Sequence, residues 1–252
     1  VEVDLAEIEK DVRLHDMTET KQPIQEVAET ISIADYDIQV AVARKNTSSI
    51  VLDPSVVDQL RQYVQTLAAM YRNNFFHNFE HASHVTMSVS KLLARIVKPA
   101  SSLGQDAKET HDHTYGITSD PLTHFSCVLA ALIHDVDHPG VPNDQLIVED
   151  AELAKLYKGK SIAEQNSVDR AWKLLMNESY AQLRATIYSN EQELARFRAL
   201  IVNNVMATDI VDQDLKALRD ARWEQAFLDN TSHTVSKIDT DRKATIVMEH
   251  LI

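Results

Sequence analysis

Four glycines in 252 residues constrain this chain more than any other feature of its sequence. Average usage of about 7% would supply about eighteen. The four are scattered, so there is no Gly-rich loop to cradle a dinucleotide or a nucleotide phosphate through backbone amides. A turn-rich sandwich or barrel is disfavoured for the same reason, and aromatic residues are few, at 6%. What remains is helix. Val56, Val57, Leu60, Val64 and Leu67 form one apolar face at helical period, as do Val85, Val89, Leu92, Leu93 and Ile96. Asp53-Pro54 and Asp120-Pro121 each read as a helix start, with the carboxylate as N-cap and proline in the first turn, where its missing N–H costs nothing. Further helical runs are expected over about 144–157, 161–176, 179–188, 191–205 and 242–252, and a polar loop over 99–119. No alternating strand pattern, internal repeat or low-complexity tract is present. The expected fold is all-α, a compact multi-helix bundle.

Charge and cysteine content bound the setting. Thirty-eight acidic against 25 basic residues give a net charge of −13, which disfavours nucleic acid as a partner. The single cysteine, Cys127, allows no intrachain disulfide and points to a reducing, cytoplasmic location. No apolar run approaches the length of a membrane span, so no membrane contact is expected from this segment. The chain begins at Val1, which reads as an excised part of a longer protein. Val1, Leu5, Ile8 and Val12 mark a short acidic amphipathic helix, followed by a polar linker near 44–49. Residues 1–50 are therefore expected to be a connector and 51–252 the principal domain.

Eight of the eleven histidines lie between His77 and His138. His77, His81 and His84 are spaced i, i+4, i+7, and a helix would align them on one face. His134-Asp135-Val136-Asp137-His138 ends the apolar helix that starts at Pro121. Imidazole and carboxylate suit zinc, carboxylate oxygens also suit magnesium or manganese, and an aspartate among imidazoles can bridge two ions of the kind that stabilise phosphoryl transfer. A bland reading competes, because histidines one helical turn apart are more often solvated or hydrogen-bonded than metal-bound.

The motifs also carry a resemblance. Tyr71-Arg72-Asn73-Asn74-Phe75-Phe76-His77-Asn78-Phe79-Glu80-His81-Ala82-Ser83-His84-Val85 resembles the opening signature of class I 3′,5′-cyclic-nucleotide phosphodiesterase catalytic domains, within the HD-type metal-dependent phosphohydrolases. Ala131-Leu132-Ile133-His134-Asp135-Val136-Asp137-His138-Pro139-Gly140 and Asn143, the stretch 153–164 and Ala207-Thr208-Asp209 continue it in order. The resemblance covers about residues 50–252. It implies hydrolysis of the 3′-phosphoester of cAMP or cGMP to the 5′-monophosphate in signal transduction, with two divalent ions, zinc and magnesium or manganese, as cofactors.

By that resemblance His81, His134 and Asp135 would be metal ligands, Asp135 reaching both ions. His77 would be the general acid that protonates the O3′ leaving group, and Glu164 the carboxylate that orients it. A capping box, Ser161-Ile162-Ala163-Glu164, is an equal reading of Glu164. His138, Thr208 and Asp209 would hold metal-bound waters by hydrogen bonding, Asp137 would be structural or support the ligands, and His84 would sit in the core or support the ligands. Gln165-Asn166-Ser167 departs from the family's usual Asn-His-His.

The resemblance also implies a fourth ligand, an aspartate, and a purine-recognising glutamine beyond Ile252. The chain is thus expected to be C-terminally incomplete, with its purine site unassigned. A regulatory or cyclase domain in the parent chain would be a further implied partner. Two alternatives stay open at this point: an HD-type phosphohydrolase of another nucleotide, and a non-catalytic helical module that binds nucleotide or a partner.

Overall fold

The computed structural model describes residues 22–40, 50–96, 107–227 and 236–252. The expected connecting helix near Val1 and the linker near 44–49 lie outside the described residues. Among those described, helices make up the regular structure and no strand occurs, so the fold is all-α. In chain order the helices are α1 (Pro23–Glu26), α2 (Pro54–Met70), α3 (Phe79–Ile96), α4 (Ala107–His113), α5 (Pro121–Ile133), α6 (Asn143–Val148), α7 (Glu152–Leu156), α8 (Ile162–Met176), α9 (Ala181–Ile187), α10 (Glu191–Met206), α11 (Gln213–Phe227) and α12 (Lys237–Glu249). None is long and apolar enough to cross a membrane.

Helix α5 is apolar nearly all round, and it is buried accordingly. It packs between α3 and α10, and α10 contributes Phe197, Leu200, Ile201, Val202 and Val205 to the same core. Asp120 caps α5 as its sequence predicts, accepting from the backbone N–H groups of Leu122 and Thr123 at 3.1 and 3.3 Å. Burial by itself would raise the Asp120 pKa; Arg196, paired with the carboxylate, holds it below the usual range instead. Asp53 caps α2 in the same way through Ser55 N–H at 2.8 Å.

Three segments differ from the sequence expectation. The polar stretch 99–119 contains α4 and a 3-10 turn at Ile117–Ser119. The single run expected over 144–157 is broken into α6 and α7, with Asp150 at φ +50° between them. Helix α11 was not expected, because only a narrow set of its residues is buried, among them Leu215, Arg222 and Ala226.

Packing also crosses residue 50. Ile31 and Ile33 are core residues, and the extended chain around them has no neighbouring strand to satisfy its amides. Side chains do so: Ala28 N–H donates to Asn203 Oδ1 at 3.0 Å, Ile31 N–H to Thr245 Oγ1 at 3.0 Å and Ile33 N–H to Asp241 Oδ1 at 3.1 Å. Arg222, fully buried on α11, pairs with Glu249 of α12 and donates to the carbonyls of Ala28, at 2.9 Å, and Glu29. Leaving one member of such a buried pair alone costs about 3–5 kcal/mol. Arg222→Met is therefore expected to lower unfolding free energy by about 3 kcal/mol or more in urea titration. A loss under about 1 kcal/mol would show that the pair does not hold the segment.

Candidate metal centre

The centre forms where the C-terminal end of α5 meets the start of α3. His81 is on α3, His134 follows the last residue of α5, and Asp135 opens the turn after it. Asp135 Oδ2 lies 3.2 Å from His134 Nε2, 3.6 Å from His81 Nε2 and 2.9 Å from His77 Nδ1. Two groups of donor atoms result, His81-His134-Asp135 and His77-Asp135-His138. Within each group all three atoms are within 4.8 Å of one another, close enough to hold a divalent cation. Asp135 belongs to both groups. His134 Nδ1 donates to the Ala131 carbonyl at 2.9 Å, leaving Nε2 to face the site.

His77 is not on the helix expected to carry it. Helix α3 begins at Phe79, and His77 occupies the loop before it. It reaches the centre through Asp135 and stacks on His138 with ring centroids 3.8 Å apart. His84, expected in the core or in support of the ligands, is exposed on α3 because α3 turns that position to solvent.

The turn holding His138 is shaped by Gly140. This glycine has φ +84°, and a Cβ there would meet Asn74 Oδ1 at 2.7 Å. Gly140 N–H donates to His138 Nδ1 at 2.9 Å, so the neutral ring carries its proton on Nε2. Asn74 Nδ2 donates to the His138 carbonyl at 2.7 Å and to that of His77 at 3.2 Å, which ties the two loops together.

Charge follows the geometry. Burial favours the neutral form of Asp135, but His134 and His77 outweigh it and hold the carboxyl well below its ordinary range. Burial likewise opposes the His134 cation, yet Asp135 raises its pKa. His81 is lowered by burial and then by His134, and His138 is pushed down to about 4 by burial and then by His77. Anionic Asp135 and neutral His81 are the protonation states in which these two groups bind metal, whereas neutral His138, its Nδ1 taken by Gly140, has an Nε2–H to donate.

Two adjoining clefts, about 360 and 500 Å³, open on the centre. Both are lined by His77, His138, Glu164 and Thr208. Glu164 belongs to the first turn of α8, but Ser161 makes no side-chain cap and no capping box forms. Nor does a hydrogen bond join Glu164 to His77 among the described residues; the partner on His77 Nδ1 is Asp135. Glu164 Oε2 instead accepts from Asn143 Nδ2 at 2.9 Å, and Asn143 Oδ1 accepts from Ala163 N–H at 3.0 Å. Burial, reinforced by Asp209, pushes the Glu164 pKa up to about 7.

Asp209 Oδ1 is committed to the backbone N–H groups of Val211 and Asp212, both at 3.0 Å, while Oδ2 lies 3.5 Å from Asn143 Nδ2. Thr208 Oγ1 donates to the Val205 carbonyl at 2.7 Å. Asn143 therefore links the two acidic groups of the cleft, a role its place just after His-Pro-Gly did not disclose. Arg219 lines the larger cleft and donates to the Asp209 carbonyl at 3.2 Å. Nothing in its local sequence marks it.

Residues 76–252 match the family model described as 3′5′-cyclic nucleotide phosphodiesterase. Over 165 residues the chain is 33% identical to a probable 3′,5′-cyclic-AMP phosphodiesterase, pde-4, of Caenorhabditis elegans, covering 64% of this chain and 22% of that protein. It is 28% identical over 181 residues to the human cGMP-inhibited 3′,5′-cyclic phosphodiesterase 3A, covering 61% and 16% of the two. The chain thus spans about a quarter or less of the length of these relatives. The phosphodiesterase domain of the RhoPDE fusion protein from the choanoflagellate Salpingoeca rosetta shares the fold, with a TM-score of 0.56 and 20% identity, over 96% of this chain and 68% of that one. The family match takes in the His-rich loop, both halves of the donor cluster and the cleft residues: the chain belongs to the 3′5′-cyclic nucleotide phosphodiesterase family.

Proposed function

We propose that the protein hydrolyses the 3′-phosphoester of a cyclic nucleotide, cAMP or cGMP, to the 5′-monophosphate. The observation that carries this reading is one carboxylate oxygen, Asp135 Oδ2, within 3.6 Å of three imidazoles from two chain segments. His81, His134 and Asp135 would hold one ion, zinc, and Asp135 would reach a second, magnesium or manganese. Bound divalent ions supply charge neutralisation at phosphorus and acidify a nucleophilic water.

The protein's own residues do the rest. His77 donates Nδ1–H to Asp135, so in its doubly protonated form the Nε2–H is the proton given to the departing O3′, leaving the neutral ring with Nδ1–H on Asp135. Asp135 sets the plane of that ring. Glu164 stands on the same clefts, where it can take up orientation of His77 if Asp135 is drawn to metal. His138, Thr208 and Asp209 line the cleft as hydrogen-bonding groups for water beside the ions. The catalytic unit is read as 51–252 with the segment 22–33 packed on it, in a cytoplasmic part of a longer chain. A regulatory or cyclase domain elsewhere in that chain would be a further partner; the choanoflagellate phosphodiesterase domain with the same fold comes from a fusion protein.

The full-length protein is expected to hydrolyse cAMP or cGMP only with divalent metal. Chelation or His134→Ala should reduce turnover by at least about a hundredfold in a nucleotide-release assay. Full activity in either case would overturn the proposal. His77→Ala should lower kcat by about 10²–10⁴ on the natural substrate. The loss should be much smaller on a nitrophenyl phosphodiester, whose leaving group needs no proton, and equal losses on the two would remove the general-acid role.

Glu164 gives a test by stability. Its carboxyl, at about 7 when folded, stays protonated where the unfolded chain ionises near 4.5, so metal-free stability falls as pH rises between these values. Glu164→Gln removes that loss. In chelator, its Tm advantage over wild type should be larger at about pH 8 than at about pH 5; the opposite order would place Glu164 in a different environment.

A further inference from the structure

The turn that carries Asp135 and His138 is held from outside the metal centre. Its third residue, Asp137, has φ +58°, a left-handed conformation that costs a residue other than glycine about 1 kcal/mol or more. Three side chains converge on its carboxylate. Arg72 Nε donates to Oδ1 at 2.6 Å, Asn166 Nδ2 donates to Oδ2 at 3.1 Å, and Arg170 pairs with Oδ2 as an ion at 2.7 Å while its Nε–H donates to Asn166 Oδ1 at 3.3 Å. One residue earlier, the Val136 carbonyl lies 2.9 Å from Ser167 Oγ, which shares its hydrogen with the Ala163 carbonyl at 3.0 Å.

Asn166 and Ser167 are 3% and 0% exposed, so these contacts are interior. They come from α8, the helix that also bears Glu164. Arg72 comes from the loop that bears His77. Three parts of the site are therefore joined at a residue that belongs to neither donor group. Asn166 and Ser167 are also two of the three positions at which the sequence departs from the usual family pattern, so the departure supplies contacts to the turn and leaves no gap.

We propose that Asp137 is a positioning residue, clamped by Arg72, Arg170 and Asn166 with Ser167 beneath, and that this clamp fixes how Asp135 and His138 present themselves to metal. The proposal rests on the metal-site reading given above. Residues that hold ligands in place are worth 10–100-fold in metal affinity.

The test uses zinc alone, titrated into the full-length protein against a chromophoric chelator. Asp137→Asn keeps a residue suited to the left-handed turn and removes the charge that the two arginines pair with. Asn166→Ala removes one donor and leaves Asp137 intact. Each is expected to weaken zinc binding about tenfold or more. Leu183→Ala, a core truncation on α9, serves as a comparison that lowers Tm without touching the turn, and it should leave zinc affinity unchanged. Wild-type affinity in both Asp137→Asn and Asn166→Ala would overturn the clamp while leaving the metal site standing. A loss in Leu183→Ala equal to theirs would reduce the clamp to general stability and overturn it as well. A wild-type protein that takes up no zinc would overturn the metal-site reading itself.

Discussion

One carboxylate oxygen organises the site. Asp135 Oδ2 draws His77, His81 and His134 toward a single point, although imidazoles gathered in a half-buried space disfavour one another's protonation. The anion resolves that conflict for His134, whose pKa it raises, and leaves His138 neutral at the edge. Position depends on the packing of α5 between α3 and α10, because α5 ends just where His134 and Asp135 must turn toward His81. A shift of that helix end would move two of the candidate donors, His134 and Asp135, and leave His81 behind.

A helical protein with few glycines must solve a second problem, the polar groups of its loops. Without a sheet, an extended segment has no ladder in which to pair its amides. Here the segment 28–34 is paired by side chains reaching out of two helices, Asn203 of α10 and Thr245 and Asp241 of α12. Buried Arg222 and Glu249 complete the arrangement. The same device recurs at the turn 134–140, where Asn74, Ser167 and the arginines around Asp137 take the place of backbone partners. One loop packs on the hydrophobic core and the other carries the candidate donors.

Much of this was legible in the residues. Asp53-Pro54 and Asp120-Pro121 mark helix starts because capping is a local matter of one carboxylate and the next two or three amides. Helix α11 escaped notice because its buried face includes Arg222, whose burial depends on a partner 27 residues away. Helix α4 lies in a stretch whose composition is that of a loop. His77 shows the limit of spacing arguments: i, i+4 and i+7 share a face only if one helix runs through all three, and the helix starts at Phe79.

By itself the sequence determined the fold class and the chemistry of the donors. Both depend on which residues are present and how they are spaced along the chain. Scarce glycine, apolar residues at helical period and a His-Asp-x-Asp-His run are all local quantities. Tertiary structure alone decided that His77 meets Asp135, that Glu164 meets Asn143, and that Asp137 is gripped by arginines from two segments. Those pairings cross from 21 to 65 residues of chain. A hydrogen bond or ion pair acts over about 3 Å, so only the packing of helices could bring such partners within its range.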